Sequence, residues 1–95
     1  MADLDLKLEN IVLSQDFEIK LIDFAFCDPL AQVHYKMKGS ESYMAPEVLN
    51  TSKNSLKRSR TGISRNSKHS YTGDKADMFS LGVILFTMYF GMVPF

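Results

Sequence analysis

The last 18 residues, 78–95, contain no charged side chain. A stretch of that kind must leave water on most sides, either as a helix inside a protein core or as a membrane span. At about 1.5 Å per residue it reaches about 27 Å, barely the hydrocarbon thickness of a bilayer. Gly91 and Pro94 shorten the usable helix further. The whole chain has 95 residues, enough for one small domain, and a domain of that size hides only a modest share of its surface. The uncharged segment therefore dictates what the remainder has to do: cover it.

Two short runs of branched residues, Ile11-Val12-Leu13 and Ile19-Lys20-Leu21-Ile22, flank the polar Ser14-Gln15-Asp16. This pattern predicts a β-hairpin. Asn10 lies just before the first strand and Asp23 just after the second, so both side chains are expected at one end of it. Residues 24–44 show no sustained period and predict an extended loop supported by other segments. Residues 44–50 predict the start of a short helix, with Pro46 tolerated in its first turn.

Net charge is zero but unevenly spread: residues 1–50 carry nine acids against four Lys/Arg, and residues 51–73 carry six Lys/Arg and no acid. Residues 51–73, rich in Ser, Thr, Lys and Arg, predict a mobile insertion. A neutral total gives no general attraction to nucleic acid, so no nucleic-acid partner is expected. Cys27 is the sole cysteine, which excludes an internal disulfide and suits a reducing compartment. Met1-Ala2-Asp3-Leu4-Asp5 has neither a basic region nor an apolar run and does not read as a signal peptide. His34 and His69 stand apart from each other and from Cys27, without metal-ligand spacing, and are expected at the surface.

Four motifs follow in fixed order: Asp5-Leu6-Lys7-Leu8-Glu9-Asn10, Asp23-Phe24-Ala25, Ala45-Pro46-Glu47 and Asp77-Met78-Phe79-Ser80-Leu81-Gly82. Together they resemble the C-terminal lobe of a eukaryotic-type protein kinase, from the catalytic loop to the central hydrophobic helix. Lys7, two residues after Asp5, resembles the serine/threonine branch. The resemblance implies an α+β fold: a short hairpin, an activation segment and one long helix of the kind buried in the lobe. It divides the chain into a catalytic loop and metal-binding hairpin (1–23), an activation segment (23–47), the insertion (51–73) and the helix (74–95). In that setting residues 78–95 are core rather than membrane anchor.

The resemblance also implies roles. Asp5 would orient the substrate hydroxyl and accept its proton, and Lys7 would neutralise charge beside the transferred phosphate of ATP. Asn10 and Asp23 would hold Mg2+, which prefers hard oxygen ligands. Phe24 would pack beneath the site, and Ala25, where the family has glycine, would stiffen the hinge. Ser40 would contact Asp5 and Lys7. Glu47 would be a buried carboxylate whose family partner lies beyond residue 95, a costly arrangement. Asp77 would serve a structural part, and Ile84, Met88 and Val12 resemble the family's internal hydrophobic spine.

Other features depart from the family. Asp3 and Leu4 stand where His and Arg are usual, and Lys36 stands where a phosphorylatable Thr is frequent. Acceptor and receiver of an activating phosphate are both replaced, which implies a segment not switched in that way. Arg58, three residues before Thr61, gives a spacing suited to another basophilic kinase. The 95 residues contain no glycine-rich loop and no strand lysine for the nucleotide phosphates. The expected function is thus ATP-dependent phosphoryl transfer to protein Ser/Thr by family, with a polypeptide of these residues alone inactive. The alternatives are a non-catalytic module that binds a partner protein and, behind it, a small membrane-anchored protein. A cytoplasmic or nuclear setting is expected, with self-association through the uncovered 78–95 helix.

Overall fold

The structure is a computed structural model that describes residues 1–30, 32–34, 37–51 and 70–95. Strands β1 (Ile11–Leu13) and β2 (Ile19–Leu21) form the expected hairpin, antiparallel with Val12 opposite Lys20. Its turn is built on Ser14, whose hydroxyl accepts the N–H groups of Asp16 (3.3 Å) and Glu18 (3.0 Å). Phe17 takes a left-handed conformation there (φ 61°). A 3-10 turn over Leu8–Asn10 leads into β1.

β3 (Val33–His34) pairs antiparallel with β4 (Tyr71–Thr72), so the loop segment is indeed held by a distant part of the chain. Between them lie a 3-10 turn, Glu41–Tyr43, and helix α1, described over residues 46–51. Pro46 opens α1, where its missing N–H costs nothing, and the N–H groups of Val48 and Leu49 both reach the Ala45 carbonyl. Helix α2, Gly73–Phe90, is terminated by Gly91 in the left-handed conformation (φ 74°), its N–H bonding the Thr87 carbonyl at 2.8 Å.

The core has two parts joined by Phe79. Ala2, Leu4, Met44, Ala45, Val48, Tyr71 and Ala76 pack around the start of α2. Tyr43, Val83 and Ile84 pack further along it, with Leu6, Leu8 and Ile11 at the edge. Ala76, Phe79, Val83 and Ile84 recur at helical spacing, so one stripe of α2 is covered. The other sides are open: Leu85 and Met88 are each 69% exposed and Phe90 59%. No helix among the described residues is long and apolar enough to cross a membrane.

Several expectations are corrected. Val12 and Met88 are exposed, so only Ile84 of the three spine positions is buried. Alternation along β1 explains Val12: Ile11 faces the α2 core and its neighbour must face away. His34 is buried, not at the surface, because β3–β4 pairing lays its ring on Tyr71 with centroids 5.2 Å apart. Glu47 lies on the exposed side of α1 and carries no burial cost. Tyr71 and Thr72 belong to a strand and Gly73 to α2, so the end of the 51–73 segment is structured, and Thr51 at its start is buried. Lys36 and residues 52–69 of the predicted insertion, Thr61 and His69 among them, lie outside the described residues.

Candidate active site

Asp5 is the hub. Its side chain is buried, and its carboxylate collects the groups that the sequence motifs supply. Ser40 Oγ donates to Asp5 Oδ1 at 2.9 Å, and Lys7 Nζ lies 3.2 Å from Oδ2. Lys7 Nζ also donates to Ser40 Oγ at 2.8 Å, which closes a three-membered ring of contacts. The Ser40 hydroxyl can do both at once, accepting from the ammonium and donating its one proton to the carboxylate. Asn10 Nδ2 donates to the Asp5 main-chain oxygen (3.0 Å) and more weakly to Oδ2 (3.3 Å). These contacts fix the Asn10 amide so that its oxygen points away from Asp5.

The backbone that presents Asp5 is bent. Leu4 adopts φ 66°, a region that costs a branched side chain of order 1–3 kcal/mol. It is held there by Asp77 on α2, whose Oδ1 accepts the Leu4 N–H (2.9 Å) and whose Oδ2 accepts the Asp3 N–H (2.7 Å). Asp3, in turn, accepts the Asp5 N–H at 3.0 Å. Burial pushes the Asp3 carboxyl above its ordinary value, and Asp77, Asp5 and Asp23 nearby push the same way against the Asp5 N–H bond. Ser80, one turn beyond Asp77, donates to the Tyr43 carbonyl at 2.8 Å and ties the Ser40–Tyr43 stretch to the same helix.

Ser40 reaches Asp5 through Gly39. Gly39 has φ 103°, and a Cβ there would stand 2.3 Å from the Leu4 carbonyl oxygen, so no side chain fits. The preceding residue, Lys38, is ion-paired with Asp28. Asp28 is fastened to Ala2 by two main-chain bonds, 2.8 and 3.0 Å. Sequence reasoning passes over Asp28 and Lys38, because nothing in a loop without periodicity marks two residues ten apart as neighbours.

Asp23 lies one residue beyond Ile22, whose N–H bonds the Asn10 carbonyl at 2.9 Å, so the hairpin brings the two motif ends to one side. Asp23 is left-handed (φ 64°) and exposed, with one oxygen accepting the Ala25 N–H at 3.4 Å. Phe24 is not packed beneath the site. It is 54% exposed, since no described segment stands beyond the hairpin to cover it. Among the described residues no group of three or more His, Cys, Asp or Glu side chains converges in a way that could hold a metal ion by itself.

Comparison with known proteins matches residues 2–95 to the protein kinase domain. The chain belongs to that family. It is 37% identical over 99 residues to testis-specific serine/threonine-protein kinase 3 of Homo sapiens, covering 100% of this chain and 30% of that protein. It is 36% identical over 94 residues to testis-specific serine/threonine-protein kinase 5 of Mus musculus, covering 96% of this chain and 21% of the relative. Serine/threonine-protein kinase kin-29 of Caenorhabditis briggsae is 39% identical over 93 residues, which is 96% of this chain and 9% of that one. The chain thus spans less than a third of the length of each of these kinases. The α+β architecture described above fits part of a kinase lobe.

Proposed function

We propose that these residues form the phosphate-transfer half of a serine/threonine protein kinase site, with Asp5, Lys7, Asn10, Asp23 and Ser40 as its working groups. The observation that carries this reading is the closed contact of Asp5, Lys7 and Ser40. A carboxylate, a cation and a hydroxyl brought together from segments 33 and 35 residues apart in sequence are the groups that positioning a substrate hydroxyl requires. Asp5 accepts the proton of the incoming hydroxyl, and Lys7 lies where negative charge develops.

The donor set fits a magnesium-bound nucleotide. Asn10 spends its amide N–H groups on Asp5 and keeps its oxygen, and Asp23 is an exposed carboxylate at the same end of the hairpin. Both are hard oxygen donors of the kind Mg2+ takes alongside phosphate and water. When bound, the ion would screen the phosphate oxygens. Two residues do not amount to an all-protein cage, which agrees with a metal carried in with ATP. Alone, a polypeptide of these 95 residues lacks a glycine-rich loop and a strand lysine, and we propose that it does not turn over ATP. Losing one preorganised contact of that type costs roughly 100-fold in rate.

The test is a chimera in which residues 2–95 replace the matching segment of the human relative. It should phosphorylate a serine peptide and lose at least about 100-fold in kcat on Asp5→Asn. A folded chimera no more active than its Asp5→Asn variant would overturn the reading. A second reading, a module that binds a partner protein, is favoured by the uncovered apolar sides of α2. An inactive chimera that still captures a protein in a stable complex would select it.

A further inference from the structure

Ser40 is held at Asp5 and Lys7 from one side by Gly39 and Lys38, and the way Lys38 is itself held has a consequence. Asp28 cannot drift, since its N–H and carbonyl are both bonded to Ala2, three residues before Asp5. Its carboxylate takes the Lys38 ammonium, and His34 Nδ1 lies 3.7 Å from the same oxygen. His34 forms the floor, buried and stacked on Tyr71. From Lys38 the chain has only Gly39 to cross before Ser40, and Gly39 is pressed against the Leu4 carbonyl. The Asp28–Lys38 pair and the Ser40–Asp5 bond are therefore two ends of one short strap across the loop that carries Asp5.

We propose that Asp28 and Lys38 are positioning residues: their ion pair is a latch that sets the Ser40 hydroxyl between Asp5 and Lys7. The geometry of the latch is independent of the phosphoryl-transfer reading, and only its effect on catalysis rests on that reading. Both partners are about one-quarter exposed (side chains 29% and 23%), so the pair is screened in part. Breaking it is expected to loosen residues 38–43 locally, without unfolding α2.

Hydrogen exchange of the full 95-residue chain, followed by mass spectrometry of peptides, separates these outcomes. Lys38→Met and Asp28→Asn should each speed exchange in the peptide spanning residues 38–43 by up to about fivefold, because the Tyr43 N–H bonds the Ser40 carbonyl within it. Exchange in the α2 peptide should stay unchanged. Lys38→Arg should behave as the parent, and the charge-exchanged pair Asp28→Lys with Lys38→Asp should recover most of the protection. Three results would overturn the latch. One is unchanged exchange in the single variants, and another is equal loss in α2 and residues 38–43. The third is a charge-exchanged variant no better protected than either single one. In the chimera described above, the expected faster exchange on Lys38→Met and Asp28→Asn together with absent activity in the parent chimera would fault the kinase reading and leave the latch standing.

Discussion

Removing the Asp77 carboxylate should unfasten the candidate site at its base. Asp77 accepts two main-chain N–H groups, from Asp3 at 2.7 Å and Leu4 at 2.9 Å, both partly shielded from water. A hydrogen bond to a charged acceptor is worth about 1.5–3 kcal/mol, and an orphaned donor forfeits it. Two such bonds give about 3–6 kcal/mol for Asp77→Ala. Release of Leu4 from its left-handed conformation returns part of that, of order 1 kcal/mol or more. The net loss is then about 3 kcal/mol, a large share of the stability of a domain this small. Asp77→Asn keeps one oxygen but turns an amide N–H2 toward the second donor, so its loss should be about 2 kcal/mol. Urea denaturation followed by circular dichroism at pH 7 measures both. An Asp77→Ala midpoint equivalent to less than about 0.5 kcal/mol of change, or an Asn variant worse than the Ala variant, would refute the argument that these two bonds hold the loop.

Other substitutions follow from the same geometry. Ile84→Ala should cost about 2–5 kcal/mol because Ile84 is 3% exposed, whereas Leu85→Asn, at a site 69% exposed, should cost almost nothing and should reduce association in light scattering. Gly39→Ala should destabilise by about 1–3 kcal/mol, since φ 103° and a Cβ 2.3 Å from the Leu4 oxygen are both unfavourable, and should shift the Ser40 amide resonance. Asp3 binds its proton more tightly in the folded chain than its ordinary value of 3.8 implies. Folded protein therefore holds more proton than unfolded, and stability from this group is lost as pH rises from near 3.8 through the raised value. Asp3→Asn should flatten that slope, and urea midpoints from pH 3 to 7 would read it.

How much of this was legible in the sequence depended on whether a signal was local. The hairpin, the helix opening at Pro46 and a long helix through the uncharged stretch each follow from neighbours in sequence, and the structure contains all three, although the long helix ends at Phe90 rather than running to residue 95. The motif order carried the family, and with it the expectation that Ser40 would meet Asp5 and Lys7. Contacts joining distant segments outside those motifs left no mark. His34 is buried only because Tyr71, far along the chain, supplies the strand that covers it. A Val-His pair facing a Tyr-Thr pair is a weak strand signal, too short to assign beforehand. Phe24 and Val12 failed for the opposite reason. Their expected burial came from a complete kinase lobe, whereas burial depends on which surfaces stand opposite.

The distribution of contacts along α2 gives the helix two unlike halves. Its first turns hold the segment leading to Asp5 and the turn following Ser40. Gly73 lies so close to Ala2 that an added Cβ would come within 2.4 Å of it, Asp77 fastens Asp3 and Leu4, and Ser80 fastens Tyr43. A rigid rod is suited to this, because one helix then sets the spacing between the loop carrying Asp5 and the turn following Ser40. Beyond Ile84 the helix makes few such attachments, and Leu85, Met88, Tyr89 and Phe90 are open. Covering each of those four would contribute about 1.5–3 kcal/mol, so what packs there should govern the stability of the rod more than the geometry at its start. Substitutions in the two halves should separate accordingly. Changes at 73–80 should disturb the Asp5 network directly. Changes at 85–90 should leave the network as it is and alter association or overall stability instead.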